Sequence, residues 1–168
     1  MHMALDHYTR SEIESDIHRV DAILGSKIFD PNQVGNPLLL SALTELVIRV
    51  RDLLAKAQNH AVAVSFQDDV LLKGKVTDVT SLISYVRDAV CHIDSKKHDH
   101  DQFNARISFN VMIGAGCLAE INGVRLESTY GDDIAFFFGP QRLYLKRHIV
   151  RAYKEAVSQL RPLLMERR

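Results

Sequence analysis

The apolar residues of this chain recur first at helical and then at alternating intervals, and each change of period marks a change of element. Ile13, Ile17, Val20 and Leu24 share one face of a helix that Ser11-Glu12-Ile13-Glu14 opens as a capping box and Gly25 closes. Asp30 to Pro37 is dense in breakers, with Asn36-Pro37 as N-cap and first-turn proline. Leu39, Leu43, Leu46, Val47, Val50, Leu53 and Leu54 then predict a second helix to about Gln58. These two helices make half a bundle. Val62, Val64 and Phe66 alternate as a short edge strand within Ala61 to Phe66, and Gln67 to Lys75 connects it onward. A third helix is expected over Asp78 to Ile93 from the stripe Val79, Leu82, Ile83, Val86, Val90 and Ile93. Beyond the polar stretch Asp94 to Asp101 the period shortens. Arg106 to Ile113 is apolar and β-prone, Leu118–Ile121 and Val124–Glu127 flank the type I′ turn signal Asn122-Gly123, and Asp133 to Phe138 gives a further strand. A last amphipathic helix is predicted from about Gln141 to Met165, with Leu145, Ile149, Ala152, Ala156, Leu160 and Leu163 on one face. The pattern predicts a mainly α single domain over 1–168, with 106–138 as a small antiparallel sheet inserted between the third and fourth helices.

Length and composition agree with one soluble domain: 168 residues, 46% hydrophobic and 25% charged. No apolar run approaches a bilayer-crossing length and Met1 to Arg10 is polar, so the expected address is the cytoplasm, without membrane attachment. Cys91 and Cys117, the two thiols, have neither metal-ligand nor disulfide-framework spacing and suit a reducing compartment. The net charge is zero but unevenly spread. From Gly139 onward eight Lys or Arg stand against two Glu, a local excess of six positive charges, and the rest of the chain carries the opposite excess. Arg147, Arg151, Lys154 and Arg161 cluster on the polar face of the last predicted helix, either as a solvated face or as a track for RNA phosphates.

Candidate chemistry concentrates in Arg87-Asp88-Ala89-Val90-Cys91-His92, which reads R-D-x-x-x-H. At about 100° per residue Asp88 and His92 fall roughly opposite the apolar stripe, and Arg87 falls at its edge. Four residues apart, Asp88 can orient the His92 imidazole. Arg87 and His92 are about 140° apart on an ideal helix. They can act together only if the helix ends near His92 or if a second copy supplies the partner across a two-fold interface.

In this motif, and in the flanking Ile83-Ser84-Tyr85-Val86 and Ile93-Asp94, the chain resembles the HEPN (higher eukaryote and prokaryote nucleotide-binding) families, many of whose members are ribonucleases. The resemblance implies an up-and-down four-helix bundle with the motif on its third helix. It also implies metal-independent RNA cleavage in a cleft shared by two protomers, no cofactor, and a role as a toxin or phage-defence effector with an antitoxin as a further partner. Carried over, His92 is the general acid or base, Arg87 stabilises the phosphorane-like charge, and Asp88 holds the His92 ring and pairs with Arg87. Asp94 stands where some toxins of this type, those paired with nucleotidyltransferase antitoxins, carry a tyrosine, a departure that speaks against control by nucleotidylation. The alternative implied is a non-catalytic module of the same kind that binds a protein partner or a nucleotide.

Other motifs carry less. Gly114-Ala115-Gly116-Cys117-Leu118-Ala119 spells a dinucleotide fingerprint, but Asn122-Gly123 turns the chain where the phosphate-binding helix would have to run, so a strand junction is expected. His98-Asp99-His100-Asp101 supplies half of a loose metal site and is expected to be a solvated loop. His148 is expected to pack against the apolar edge, and Phe136-Phe137-Phe138 to lie in the core.

Overall fold

The computed structural model describes residues 5–92, 94–100 and 105–165, and these form two compact units. The first, residues 1–66 with 151–168, is helical within its described part. It contains α1 (His7–Gly25), α2 (Leu39–His60) and α4 (Arg151–Met165), with α2 packed against both neighbours. Ile13, Val20, Leu43, Leu46, Val50, Leu53, Ala156 and Leu160 are fully buried. α1 starts earlier than its capping box suggests, because the Asp6 carboxylate accepts the Thr9 N–H at 2.9 Å and caps a helix beginning at His7. One charge is buried here: Asp16, 3% exposed, lies between Arg49 at 3.1 Å and Lys56 at 3.2 Å. Ala61–Phe66 joins no ladder among the described residues, and of its alternating positions Val64 is buried while Val62 is exposed.

The second unit, residues 67–150, holds α3 (Val79–Cys91) and seven short strands, all antiparallel. β1 (Asp99–His100) pairs with β2 (Ala105–Arg106), and β4 (Gly116–Ile121) pairs with β5 (Val124–Ser128). β3 (Asn110–Ile113), β6 (Ile134–Phe138) and β7 (Gln141–Tyr144) form a three-stranded sheet with β6 at its centre. All five β6 residues are buried, so Phe136-Phe137-Phe138 is core on both faces. The β4–β5 hairpin turns at Asn122 (φ +50°) and Gly123 (φ +81°), the paired positive angles of a type I′ turn. Gly114 and Gly116 sit at the junction between β3 and β4, with no helix after them to hold a pyrophosphate.

The expected up-and-down four-helix bundle is not what forms. Three helices lie in one unit, while α3 lies in the other and packs on β7 and on the short 3₁₀ turn Lys96–His98. The strand-rich region is also broader than 106–138, reaching from β1 at Asp99 to β7 at Tyr144. The last helix fails at its start: Gln141–Tyr144 is strand, Leu145–Val150 is a π-helical stretch, and regular α-helix begins at Arg151. The cause lies in β6. A buried central strand needs hydrogen-bonding partners on both edges. The tight turn at Gly139-Pro140 returns Gln141–Tyr144 to supply the second edge, with Phe138 opposite Gln141 and Ala135 opposite Tyr144. Helical periodicity in that segment is overridden by this demand.

Asp133 anchors the start of the helical run. Its side chain has no exposed surface, and one oxygen accepts the N–H groups of Ile134 and Lys146, both at 2.8 Å. The other accepts from the Arg147 N–H at 3.0 Å and the Arg147 guanidinium at 3.1 Å. It thus serves as a helix N-cap and as an ion-pair partner in the same place.

His148 is a packing histidine, fully buried beside Tyr144, whose backbone N–H donates to its Nδ1 at 3.0 Å. Burial is the main cause that pulls its pKa down to about 4, against smaller upward contributions from the Asp68 backbone and the Asp69 charge. A depressed histidine favours the neutral folded state. Its stabilisation is therefore complete above the ordinary value of 6.5 and is lost as pH falls from there toward 4. The difference corresponds to about 3 kcal/mol. Urea unfolding at pH 7 and pH 4.5 is expected to show this loss, and the His148 ring resonance of the folded protein should not titrate until near pH 4. A midpoint at the ordinary histidine value would contradict the assignment.

Candidate functional site

α3 is fixed at its start by a reciprocal cap. The Asp78 carboxylate accepts the Ser81 N–H at 2.7 Å, and the Ser81 hydroxyl accepts the Asp78 N–H at 3.0 Å. Val79, Leu82, Ile83, Val86 and Ala89 are buried, which sets the roll of the helix and leaves Arg87 and Asp88 half-buried at its surface. The helix ends at Cys91. His92 is the C-cap, in extended conformation (φ −129°, ψ 96°), with its N–H still donating to the Asp88 carbonyl at 3.2 Å and its side chain exposed. The terminating helix frees His92 from the ideal 140° separation that would hold it away from Arg87.

The chain then folds back. The Ser95 N–H donates to the His92 carbonyl at 2.9 Å, and the Ser95 hydroxyl accepts the Lys97 N–H at 3.2 Å, starting the 3₁₀ turn. His98 locks that turn onto α3. Its ring is 3% exposed and donates from Nε2 to the Ala89 carbonyl at 2.9 Å, so it is not part of a solvated loop. Asp99 pairs with Arg106 at 2.9 Å. The side chains of His100 and Asp101 lie outside the described residues, and among those described no cluster of three or more metal-ligating groups occurs.

This return places Lys97 over the motif. Its ammonium bonds one Asp88 oxygen while the Arg87 guanidinium bonds the other at 3.1 Å. Partial burial opposes ionisation of Asp88, but the Lys97 and Arg87 bonds outweigh it and hold the carboxyl below its ordinary pKa. Asp88 therefore positions two cations, Arg87 and Lys97, while no bond among the described residues ties it to the His92 ring. Lys97 went unnoticed in sequence, since nothing in the polar run Asp94 to Asp101 signals that a turn will carry its side chain back to α3.

The same turn is held from below. The Tyr85 hydroxyl donates to the Lys97 carbonyl, and Gly139, at the tip of the β6–β7 hairpin, lies directly against that carbonyl with φ +52°. A Cβ at Gly139 would overlap the Lys97 oxygen and approach the Tyr85 hydroxyl to 3.2 Å. Gly139→Ala is thus expected to cost about 1–3 kcal/mol from backbone strain alone. Because the obstacle is backbone, relief requires the Lys97 turn to shift. A urea midpoint equal to the parent's would show that this approach is not tight.

Of the four basic residues read as either a solvated face or an RNA track, one belongs to the second unit and three to the first. Arg147 belongs to the second unit, pairs with Asp132 at 3.0 Å and Asp133 at 3.1 Å, and lies over the Tyr130 ring at 3.5 Å. Arg151, Lys154 and Arg161 are on α4 in the first unit, where Arg151 pairs with Glu155 at 2.9 Å and covers the Phe66 ring at 3.7 Å. Lys154 and Arg161 are exposed. Cys91 and Cys117 are free thiols, both exposed. Among the described residues, no helix is long and apolar enough to cross a membrane. No protein-family model, curated protein or solved structure matches the chain.

Proposed function

We propose that this chain is a metal-independent endoribonuclease of the HEPN type, acting as a homodimer. The reading rests on the R-D-x-x-x-H motif and its placement, not on a four-helix bundle. The observation that carries it is the end of α3 at Cys91, which leaves His92 exposed and in extended conformation one residue beyond the helix, with Arg87 half-exposed on the last turns.

In the proposed reaction the His92 imidazole takes the proton of a ribose 2′-hydroxyl. The 2′-oxygen attacks the adjacent phosphorus, the bond from phosphorus to the 5′-oxygen breaks, and the products are a 2′,3′-cyclic phosphate and a 5′-hydroxyl. The second protomer's imidazole, in its protonated form, supplies the proton to the leaving oxygen. Arg87 neutralises charge on the pentacoordinate phosphorus, and the Asp88 bond keeps its guanidinium in place. Such an enzyme would serve in the cytoplasm as a toxin or phage-defence effector, with an antitoxin as its protein partner.

Incubation with RNA in EDTA is the test. Fragments with cyclic phosphate ends, from a protein that sizes as a dimer at micromolar concentration, are expected. Intact RNA would leave the non-catalytic binding module as the reading, and a strict monomer would remove the second imidazole from the reaction.

A further inference from the structure

Beside the motif, the second unit contains a cleft of about 930 Å³ whose wall includes Asp88 and Lys97. It lies at the upper end of the ~300–1,000 Å³ range of small-ligand sites. Its charges do not cancel. Three carboxylates line it and all are occupied: Asp78 caps α3, Asp88 holds Arg87 and Lys97, and Asp99 holds Arg106. Lys73, Lys75 and Lys96 also line it, are exposed, and pair with no carboxylate among the described residues. Three ammonium groups therefore face a cleft in which Asp88 and Asp99 are already paired with cations and Asp78 is held as a helix cap, a positive excess suited to a ligand with several negative charges.

The rest of the wall suits the apolar part of such a ligand. Tyr85 and Pro140 line the cleft, and the Tyr85 hydroxyl is anchored to the Lys97 carbonyl, which fixes its ring. Gln141, 2% exposed, also lines it, and its Nε2 donates to the Lys73 carbonyl at 3.5 Å, which ties this wall to the segment carrying Lys73 and Lys75.

We propose that this cleft is the binding track for single-stranded RNA, with phosphates on Lys73, Lys75 and Lys96 and bases against the Tyr85–Pro140 wall, leading the strand past Asp88 to Arg87 and His92. This deepens the ribonuclease reading and rests on it for the choice of RNA. It also replaces the basic face of the last helix as the phosphate track, since Arg147 and Arg151 are committed to carboxylates and rings.

The test uses a fluorescein-labelled 2′-O-methyl RNA oligonucleotide, which carries the phosphates and bases but lacks the attacking hydroxyl. Its affinity is followed by anisotropy across a salt series. The Lys73→Glu/Lys75→Glu/Lys96→Glu variant is expected to bind at least ~30-fold more weakly at low salt, and its log–log salt slope should fall by about 2, from ~0.7 per lost single-strand phosphate contact. The milder triple Lys→Gln variant guards against a folding defect and should show a smaller loss in the same direction. A Lys154→Glu/Arg161→Glu variant should bind as the parent does. Unchanged affinity in both lysine triples, loss only in the α4 variant, or no binding by the parent would overturn the proposal. The two readings separate cleanly. A parent that binds through these lysines but leaves RNA intact defeats cleavage alone, and a parent that cleaves at the same rate with and without the lysines defeats the track alone.

Discussion

Asp133→Ala is expected to lower stability by about 3–5 kcal/mol, the range for removing one partner of a buried ion pair. The carboxylate has no exposed side-chain surface and accepts from three backbone N–H groups and the Arg147 guanidinium. Its loss leaves the first N–H groups of the helical run uncapped and takes one acid from Arg147, which keeps Asp132 at 3.0 Å. Asp133→Asn preserves the shape without the charge and should fall between parent and alanine. Urea denaturation of the three proteins gives the comparison. A loss below about 1 kcal/mol for alanine would mean that these bonds are replaced by water at no cost, contrary to the burial observed.

His92→Ala should reduce RNA cleavage by ~10²–10⁴-fold, the usual contribution of a positioned acid or base. The urea midpoint should stay put, because the side chain is exposed and the helix-terminating bond is made by its backbone N–H. Arg87→Ala should also slow cleavage, with Arg87→Lys recovering only part of the rate because an ammonium cannot reproduce the planar guanidinium fork. A His92→Ala protein that cuts at the parental rate removes His92 from the chemistry. One that cuts slowly and also unfolds early points to a structural role instead.

Local signals in the sequence were reliable where local physics decides. The stripe Val79 to Val86 positions α3, Asn122-Gly123 turns β4 into β5, and the half-exposed face of Asp88 follows from helical spacing. The errors share one cause. Gln141–Tyr144 carries a helical pattern, yet β6 needs it as an edge, and that need appears only once Phe136, Phe137 and Phe138 are buried on both faces. His98 belongs to a polar run, but the Ala89 carbonyl, two residues from the end of the preceding helix, gives its ring a buried partner. Of the candidate site, Arg87, Asp88 and His92 were legible because they lie within six consecutive residues at the end of one helix. Lys97 and the lysine cleft were not, because a 3₁₀ turn and the β6–β7 turn bring those residues together.

β6 also bears on how the chain survives its own synthesis. Ile134–Phe138 is an uncharged, strongly β-prone pentapeptide whose second neighbour, β7, leaves the ribosome after it. Until then one edge is open to any other nascent strand. Asp132-Asp133 ahead and Gly139-Pro140 behind bracket this segment with charges and a ladder-breaking turn, which makes the ion-pair anchor and the hairpin tip gatekeepers against aggregation as well as fixtures of the folded state.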